Sequence, residues 1–353
     1  MQRPRSSIDA PDGTQGLQRL ATQGCWKAVL ERTKGYKVAS EDDRLTLAAW
    51  HLFALAKLRM YREAESAFNG LGDLDAPHYV KQSPEGPVSR VPFVLLSLKA
   101  QLPLLMNRPK EGVQALHDLL HYCQSKAGLQ PTSFDSAAAE QGASDHVESP
   151  ATALWSRRQE AVVGVLVNHH LRCREHVVAM KWLAWLLRRR RKDARLVSQM
   201  GYIQLMVGDT AAAALSFRQV AALLADNSAQ PDQAQRHLMR RNQGLLKFVE
   251  QDYKGALQEF EAILKESPGD AVACNNAAIC QLYACNLKGG LQQLEHSLAG
   301  HPETLLRETV LLNLTSMYNL SSSAASTEAK KKLGAWAASF ASDDVNLACI
   351  QAS

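Results

Sequence analysis

His117 and His121 lie four residues apart, a spacing that places two imidazoles on one face of a helix where they could grip a metal ion. A metal site needs at least one more convergent ligand. Asp118 and Cys123 are close in sequence but point elsewhere around a helix, so no metal is assigned. His169 and His170 are adjacent and therefore diverge. Of the seven cysteines, Cys274, Cys280 and Cys285 fall within twelve residues but lack CxxC spacing, which reads as reduced, buried thiols. The chain has no GxxxxGK[ST] phosphate loop, no GxGxxG after a strand and no GxSxG. Without a paired acid, base or nucleophile, no catalytic residue and no cofactor is assigned, and an enzyme is not expected. The sharpest charge feature is Arg188-Arg189-Arg190-Arg191-Lys192. It suits a nuclear signal, acidic lipid head groups or an acidic partner. It equally suits the end of a helix, where cations oppose the negative end of the dipole.

The elements that carry these residues return at a fixed interval. Gly255-Ala256-Leu257 is followed 34 positions later by Gly289-Gly290-Leu291, and Pro268 by Pro302. Glu175 and Ala179 have their counterparts at the same offset in Asp209 and Ala213. Such a period marks stacked supersecondary units. In the unit 237–270, Gly244 and Ala256 are small where two helices of a hairpin approach closely. Tyr253 and Phe260 fill the space beside that contact. Pro268 ends the second helix, and Asp252, in the turn Gln251-Asp252, accepts from free amides at the start of a helix.

The register continues without a gap through 271–304, with Ala278, Gly290, Leu294 and Pro302. It is also present in 194–227, with Gly201, Ala213 and Phe217, separated from the next unit by an insertion at 228–236. Weaker copies are 160–193, 45–78 (with Ala64 and Phe68) and 93–126. A half-repeat around 17–34 centres on Trp26, and 305–341 reads as two helices forming a terminal cap. Ala and Leu dominate and alternating strand runs are scarce, so the chain is expected to be all-α.

The pattern predicts a disordered N-terminus at 1–15 and N-terminal helical repeats at 16–126 that include an irregular loop at 71–92. An acidic flexible insertion follows at 127–156, then C-terminal repeats at 157–304 and a helical cap and tail at 305–353. The loop holds four prolines but also Leu74, Tyr79 and Val80, which are expected to pack across the repeats. The insertion lacks Lys and Arg, and its Ser133, Ser136, Ser144 and Ser149 are candidates for modification. A net charge of +5 without a concentrated stripe argues against nucleic acid as a partner. MQRPRSSIDA has no apolar core of a secretory signal, and no run of 18 apolar residues suggests a membrane span, so a cytoplasmic protein is expected.

This register resembles the tetratricopeptide repeat, which implies a right-handed α-solenoid of helical hairpins with a C-terminal helical cap. In that family the first helices line a concave groove. Carried onto this sequence, the lining is Arg195, Ser198, Tyr202, Leu205 and Met206, then Leu238, Arg241, Leu245, Phe248 and Val249, then Val272, Asn275, Ile279, Leu282 and Tyr283. A mostly apolar lining fits a helix or extended segment of a partner, unless the protein's own cap or insertion fills it. The carboxylate clamp of co-chaperone members is not matched: Asn276 alone suggests it.

Further segments resemble a more particular family, the repeat subunits of trafficking protein particle (TRAPP) vesicle-tethering complexes. They are GDLDAP at 72–77, RVPFVLLSLKAQLPLLMNRPKEGVQAL at 90–116, Trp155-Ser-Arg-Arg, GYIQLMVGD at 201–209, DAVACNNAAICQLYACNLKGGLQQLE at 270–295 and LLNLTSMYNLSSS at 311–323. The resemblance implies a non-catalytic scaffold with other subunits of the complex as partners. It implies an indirect link to a Rab GTPase, work between endoplasmic reticulum and Golgi and in autophagy, and peripheral membrane association through the complex. Larger relatives carry a long disordered N-terminal region that this chain nearly lacks. The alternative is a free adaptor that binds a partner peptide in the apolar groove.

Overall fold

The computed structural model describes residues 13–34, 40–83, 86–128, 150–227, 230–320 and 323–351. Contacts divide the chain into two compact units. An amino-terminal unit ends at Trp182 and also takes in Ser342–Asp344, and a carboxy-terminal unit begins at Leu183.

The amino-terminal unit contains α1 (Thr14–Thr22), α2 (Trp26–Lys34), α3 (Glu41–Lys57), α4 (Tyr61–Leu71), α5 (Phe93–Leu105), α6 (Pro109–Lys126) and α7 (Pro150–Arg172). The division falls inside α8 (His176–Arg189). The carboxy-terminal unit continues with α9 (Ala194–Met206), α10 (Thr210–Asn227), α11 (Gln233–Val249), α12 (Tyr253–Glu266), α13 (Ala271–Tyr283) and α14 (Leu287–Gly300). It closes with α15 (Pro302–Leu305), α16 (Glu308–Asn319), α17 (Ser323–Phe340) and a 3-10 turn at Leu347–Ile350. Successive helices pack on one another, α5 on α6 and α6 on α7, and α11 on α12, α12 on α13 and α13 on α14. This sequential stacking is the solenoid pattern, and among the described residues the fold is all-α apart from one small hairpin of strands.

That hairpin lies in the segment expected to be an irregular loop. After a 3-10 turn at Pro77–Tyr79, β1 (Val80–Ser83) pairs antiparallel with β2 (Gly86–Ser89). Leu74 and Tyr79 are buried in the core of this unit, whereas Val80 is half-buried. The Tyr79 hydroxyl donates to the Leu71 carbonyl at 2.8 Å, so the loop is fastened to the end of α4. The prolines keep the segment out of helix, and short paired strands satisfy its backbone instead.

Several boundaries differ from the expectation. The half-repeat at 17–34 is a complete short hairpin, and Trp26 begins its second helix. Helix α1 begins at Thr14, inside the segment expected to be disordered, of which 1–12 lie outside the described residues. Helix α7 begins at Pro150, which suits the first turn because its missing N–H would be unpaired there anyway. Residues 150–156 are therefore helical rather than part of a flexible insertion, while 129–149, with the four serines, lie outside the described residues. Helix α11 begins at Gln233, within the insertion read at 228–236, because Asp232 and Gln235 form a reciprocal capping box.

Seven hairpins among the described residues share one turn. Gly24, Arg59, Asn107, Arg174, Gly208, Gln251 and Cys285 all have positive φ, between 59° and 87°. In every case the next residue donates its N–H to the carbonyl five positions back. The pairs are Cys25 to Leu20, Met60 to Leu55, Arg108 to Pro103, Glu175 to His170, Asp209 to Gln204, Asp252 to Lys247 and Asn286 to Gln281, at 2.8–2.9 Å. This is the Schellman closure, which satisfies carbonyls left open at a helix end. The donor is also the residue before the next helix, so one turn ends a helix and starts its partner.

Across the hairpins, small residues face large ones. A Cβ at Gly201 would sit 2.4 Å from the Phe217 ring and one at Gly244 2.7 Å from the Phe260 ring. Ala213, Ala256 and Ala278 have no exposed surface. The cap docks by polar as well as apolar contacts. Asn313 on α16 donates to Asn275 on α13 at 2.7 Å, and the Tyr318 hydroxyl donates to Glu295 on α14 at 2.6 Å.

Candidate partner-binding surface

The C-terminal halves of α9, α11 and α13 end in apolar side chains that face water. Tyr202 is 47% exposed, Met206 45%, Val249 40% and Tyr283 56%. These are large enough fractions to mark a surface rather than a core. Exposed aromatics gathered together call for a reason, because the helices could have buried them or replaced them with charge. Phe248 at the end of α11 lies 5.2 Å from Tyr283 at the end of α13, ring centre to ring centre, in an edge-on arrangement. Tyr253 at the start of α12 completes the cluster, 5.3 Å from Phe248 and 5.5 Å from Tyr283. The left-handed turn at Gln251 makes this possible, since it brings the end of α11 and the start of α12 side by side. Two of the three ring pairs are edge-on and the third is tilted, and rings so placed attract one another.

The other residues read as lining divide into two groups. Leu205, Leu245, Ile279 and Leu282 are half-buried, and Val272 is exposed. The polar ones are engaged internally. Asn275 is buried and held by Asn313 of the cap. Ser198 is buried and donates to Asn242 at 2.7 Å. Arg241 is paired with Asp270, the residue that caps α13. Sequence reading placed Ser198 and Asn275 in the groove, whereas Ser198 forms a buried polar link between successive first helices and Asn275 forms one to the cap. These links join residues 44 and 38 positions apart, which no single-repeat register predicts. Tyr253, assigned a structural role, turns out to belong to the aromatic cluster.

Charge flanks the aromatic surface in pairs. Glu259 on α12 accepts from Arg240 at 3.1 Å and Lys247 at 2.8 Å. Arg236 bonds Glu266 at 2.9 Å and holds that carboxyl below its usual range. The pairs span α11 and α12; Arg236–Glu266 is partly open to water and contributes little, whereas the Glu259 carboxylate is largely buried between its two cations.

The histidines singled out for metal chemistry have other partners. Burial lowers the pKa of His117, whose ring lies 5.6 Å from Trp182. His121 faces the Gln124 side chain at 3.1 Å, and His170 faces Glu175 at 2.6 Å. Among the described residues no group of three His, Cys, Asp or Glu side chains is placed to hold a metal ion. No described helix is long and apolar enough to cross a membrane.

No protein-family model matches the chain. Solved structures with similar folds include a tetratricopeptide repeat protein from Parabacteroides merdae, 9% identical, covering 89% of this chain and 93% of that one, with a TM-score of 0.46. The Cut9–Hcn1 tetramer of APC/C is 16% identical over 86% of this chain and 56% of that one, with a TM-score of 0.37. Sequence similarity is far more extensive. The chain is 30% identical over 349 residues to trafficking protein particle complex subunit 12 of Mus musculus and 29% identical over 350 residues to that of Homo sapiens. Each alignment takes in 94% of this chain, but the chain spans 43% of the mouse protein's length and 46% of the human one's. Over nearly all of its own length, this chain of helical hairpins therefore resembles the repeat region of trafficking protein particle complex subunit 12.

Proposed function

We propose that the chain is a non-catalytic scaffold subunit of a TRAPP-type vesicle-tethering complex. It joins sister subunits and thereby supports a Rab nucleotide-exchange core without touching nucleotide itself. Its place is the cytoplasmic side of membranes between endoplasmic reticulum and Golgi, reached through the complex, and autophagy draws on the same assembly. The observation that carries this reading is the alignment to subunit 12 over 94% of the chain. The aromatic cluster of half-buried Phe248 and Tyr253 with exposed Tyr283 supports it, because a scaffold needs apolar surface left over after its own core is built.

The test is affinity capture of the tagged chain from cytosol with mass spectrometry, wild type against Ala256→Arg. Recovery of tethering subunits by wild type alone is the expected result. A monodisperse wild-type protein that retains none of them would sink the proposal.

The same cluster favours a second reading, a free adaptor that docks a partner peptide. On that reading Tyr283→Glu abolishes peptide binding and leaves the fold intact, since the side chain is more than half exposed. Undiminished binding by the variant would remove the aromatic cluster from either role.

A further inference from the structure

Neither GDLDAP at 72–77 nor the stretch 90–116 belongs to the aromatic surface, yet the two meet in the structure. Together with α4 and the rest of α6 they wall a cleft of about 650 Å³ in the amino-terminal unit. Helices α4 and α6 are the second helices of their hairpins. On α5, a first helix, the positions equivalent to the groove lining are Val94, Ser97, Gln101, Leu104 and Leu105, and none of them borders the cleft. The cleft is therefore a separate surface from the groove that the first helices line.

The chain carries a net charge of +5, but four carboxylates border this cleft against two cations. Glu65 and Glu111 share one of those cations, Arg108. Asp118 accepts from the neutral Gln114 side chain at 2.9 Å, and Asp75 sits in the loop. Both aspartates are exposed, and no ion pair engages either among the described residues. Lys99, the other cation, is exposed and has no ion pair there either, so the unspent charge is negative on balance. Burial, and then the Asp75 charge, raise the pKa of the Tyr122 hydroxyl, which borders the same space. The floor is apolar: buried Phe68, Leu74, Leu102 and Leu119, with half-buried Leu96 and Pro103.

We propose that this cleft seats a basic segment of a partner protein, with ammonium or guanidinium groups at Asp75 and Asp118 and an apolar side chain against Leu96 and Pro103. Three features select that chemistry. The excess negative charge repels nucleic acid and anionic lipid, and attracts Lys and Arg. Among the described residues no third ligand converges on Asp75 and Asp118, so a bare metal ion is not held. The apolar floor offers a hydrated cation nothing, whereas an apolar side chain beside a Lys or Arg would take that floor out of water. The inference does not rest on the tethering role, and failure to capture sister subunits would leave it standing.

The experiment is fluorescence anisotropy of the full chain with a labelled peptide of alternating Lys and Leu, at low salt and at about 0.5 M NaCl, where exposed charges are screened. Saturable binding at low salt that weakens with salt is expected. Asp75→Lys with Asp118→Lys is expected to weaken it at least about tenfold, since repulsion replaces attraction. The milder Asp75→Asn with Asp118→Asn is expected to fall between. A peptide with Ser in place of Leu keeps the charge, loses the apolar contact and is expected to bind at least about threefold more weakly. Asp226→Lys with Glu250→Lys makes the same charge change at exposed positions outside the cleft, and Tyr283→Glu alters the aromatic surface; both are expected to bind like wild type. Thermal melts by circular dichroism show that each variant folds. Absence of saturable binding, equal affinity for the Ser peptide, or equal loss in both charge-reversal pairs overturns the proposal. So does loss in Tyr283→Glu, which would move the site to the aromatic surface. Self-association of the chain in sedimentation velocity, abolished by Asp75→Lys with Asp118→Lys, would assign the cleft to a second copy and overturn it too.

Discussion

In the amino-terminal unit the residues that follow the left-handed turns include Cys25, Met60 and Arg108; in the carboxy-terminal unit they are Asp209, Asp252 and Asn286. The backbone does the same thing in both, with one residue at positive φ and an amide bonded five positions back. The side chains do not. Asp209, Asp252 and Asn286 each accept from the amide three positions on, at 2.9–3.0 Å, whereas Met60 and Arg108 make no side-chain cap. The turn is thus a main-chain device that tolerates many sequences, and capping is an addition that only one unit uses throughout. The amino-terminal unit has a different resource, one core cluster that spans α1–α5 and the loop. Leu17, Trp26, Leu52, Phe68 and Tyr79 all belong to it. The Trp26 ring packs edge-on against Phe53 at 5.4 Å, and the Lys57 ammonium lies 5.5 Å from the Trp26 ring centre.

Four experiments bear on this contrast. The largest effect belongs to the close helix contact that both units share. Ala256→Arg and its counterpart Ala64→Arg each force a long cation into a position with no exposed surface. Each is expected to cost at least about 3 kcal/mol, from overpacking together with charge burial. Hydrogen exchange should show lost protection in α11–α13 for the first and in α3–α5 for the second. An unchanged melting temperature would mean that the helix contact is misassigned.

Removing a cap should separate the units. Asp252→Ala is expected to cost about 1 kcal/mol in denaturant unfolding. Arg108→Ala removes no cap, only exposed ion pairs to Glu65 and Glu111, and is expected to cost less than about 1 kcal/mol. Equal losses would show that the caps do not distinguish the units.

Relieving the turn should unite them again. Gln251→Gly and Arg59→Gly both replace a side chain held in the left-handed region, and each is expected to gain about 0.5 kcal/mol, the strain relieved less the added chain entropy. Opposite signs in the two units would break the claim of a common turn.

The last comparison leaves stability untouched. Burial pushes the Cys123 thiol up to about 11 and the Cys280 thiol up to about 12. Near pH 8 both stay protonated and should resist a maleimide, and the fraction of thiolate grows only as pH climbs toward those values. Cys173 and Cys285 are exposed and should react first. Cys173 and Cys123 in one unit and Cys285 and Cys280 in the other then make matching fast and slow pairs, and mass spectrometry of labelled peptides that divided them by unit instead would break the comparison.

What was legible in the sequence follows the same line. Gly201, Gly244, Ala256 and Phe260 are dictated by close approach, so their types repeat and announce the hairpins. Asp252 and Asn286 are dictated by capping and can be read likewise. The left-handed turns are hard to see, because five of the seven positions are not glycine and the tertiary contacts hold Arg59, Asn107, Arg174, Gln251 and Cys285 in that conformation regardless. The short hairpin of β1 and β2 was hidden by prolines that usually mean loop. At the candidate surface, Phe248 and Tyr283 follow from the repeat of first-helix positions, which sets them at the ends of α11 and α13, 5.2 Å apart. Asn275 was misplaced because its partner Asn313 lies in the cap, where the register has ended.

The three-residue turn has a consequence for where this chain can change length. All seven described hairpins join their helices through three residues, such as 58–60 or 250–252. The joints between hairpins that are described throughout, 190–193 and 267–270, have four residues each. An extra residue inside a turn would shift the amide off the carbonyl five positions back and rotate every later side chain on the second helix. An extra residue in a joint is absorbed. An engineer seeking to fit a fluorescent domain or a protease site would choose 190–193 over 250–252, because the hairpin, and not the residue, is the smallest piece that can be moved intact.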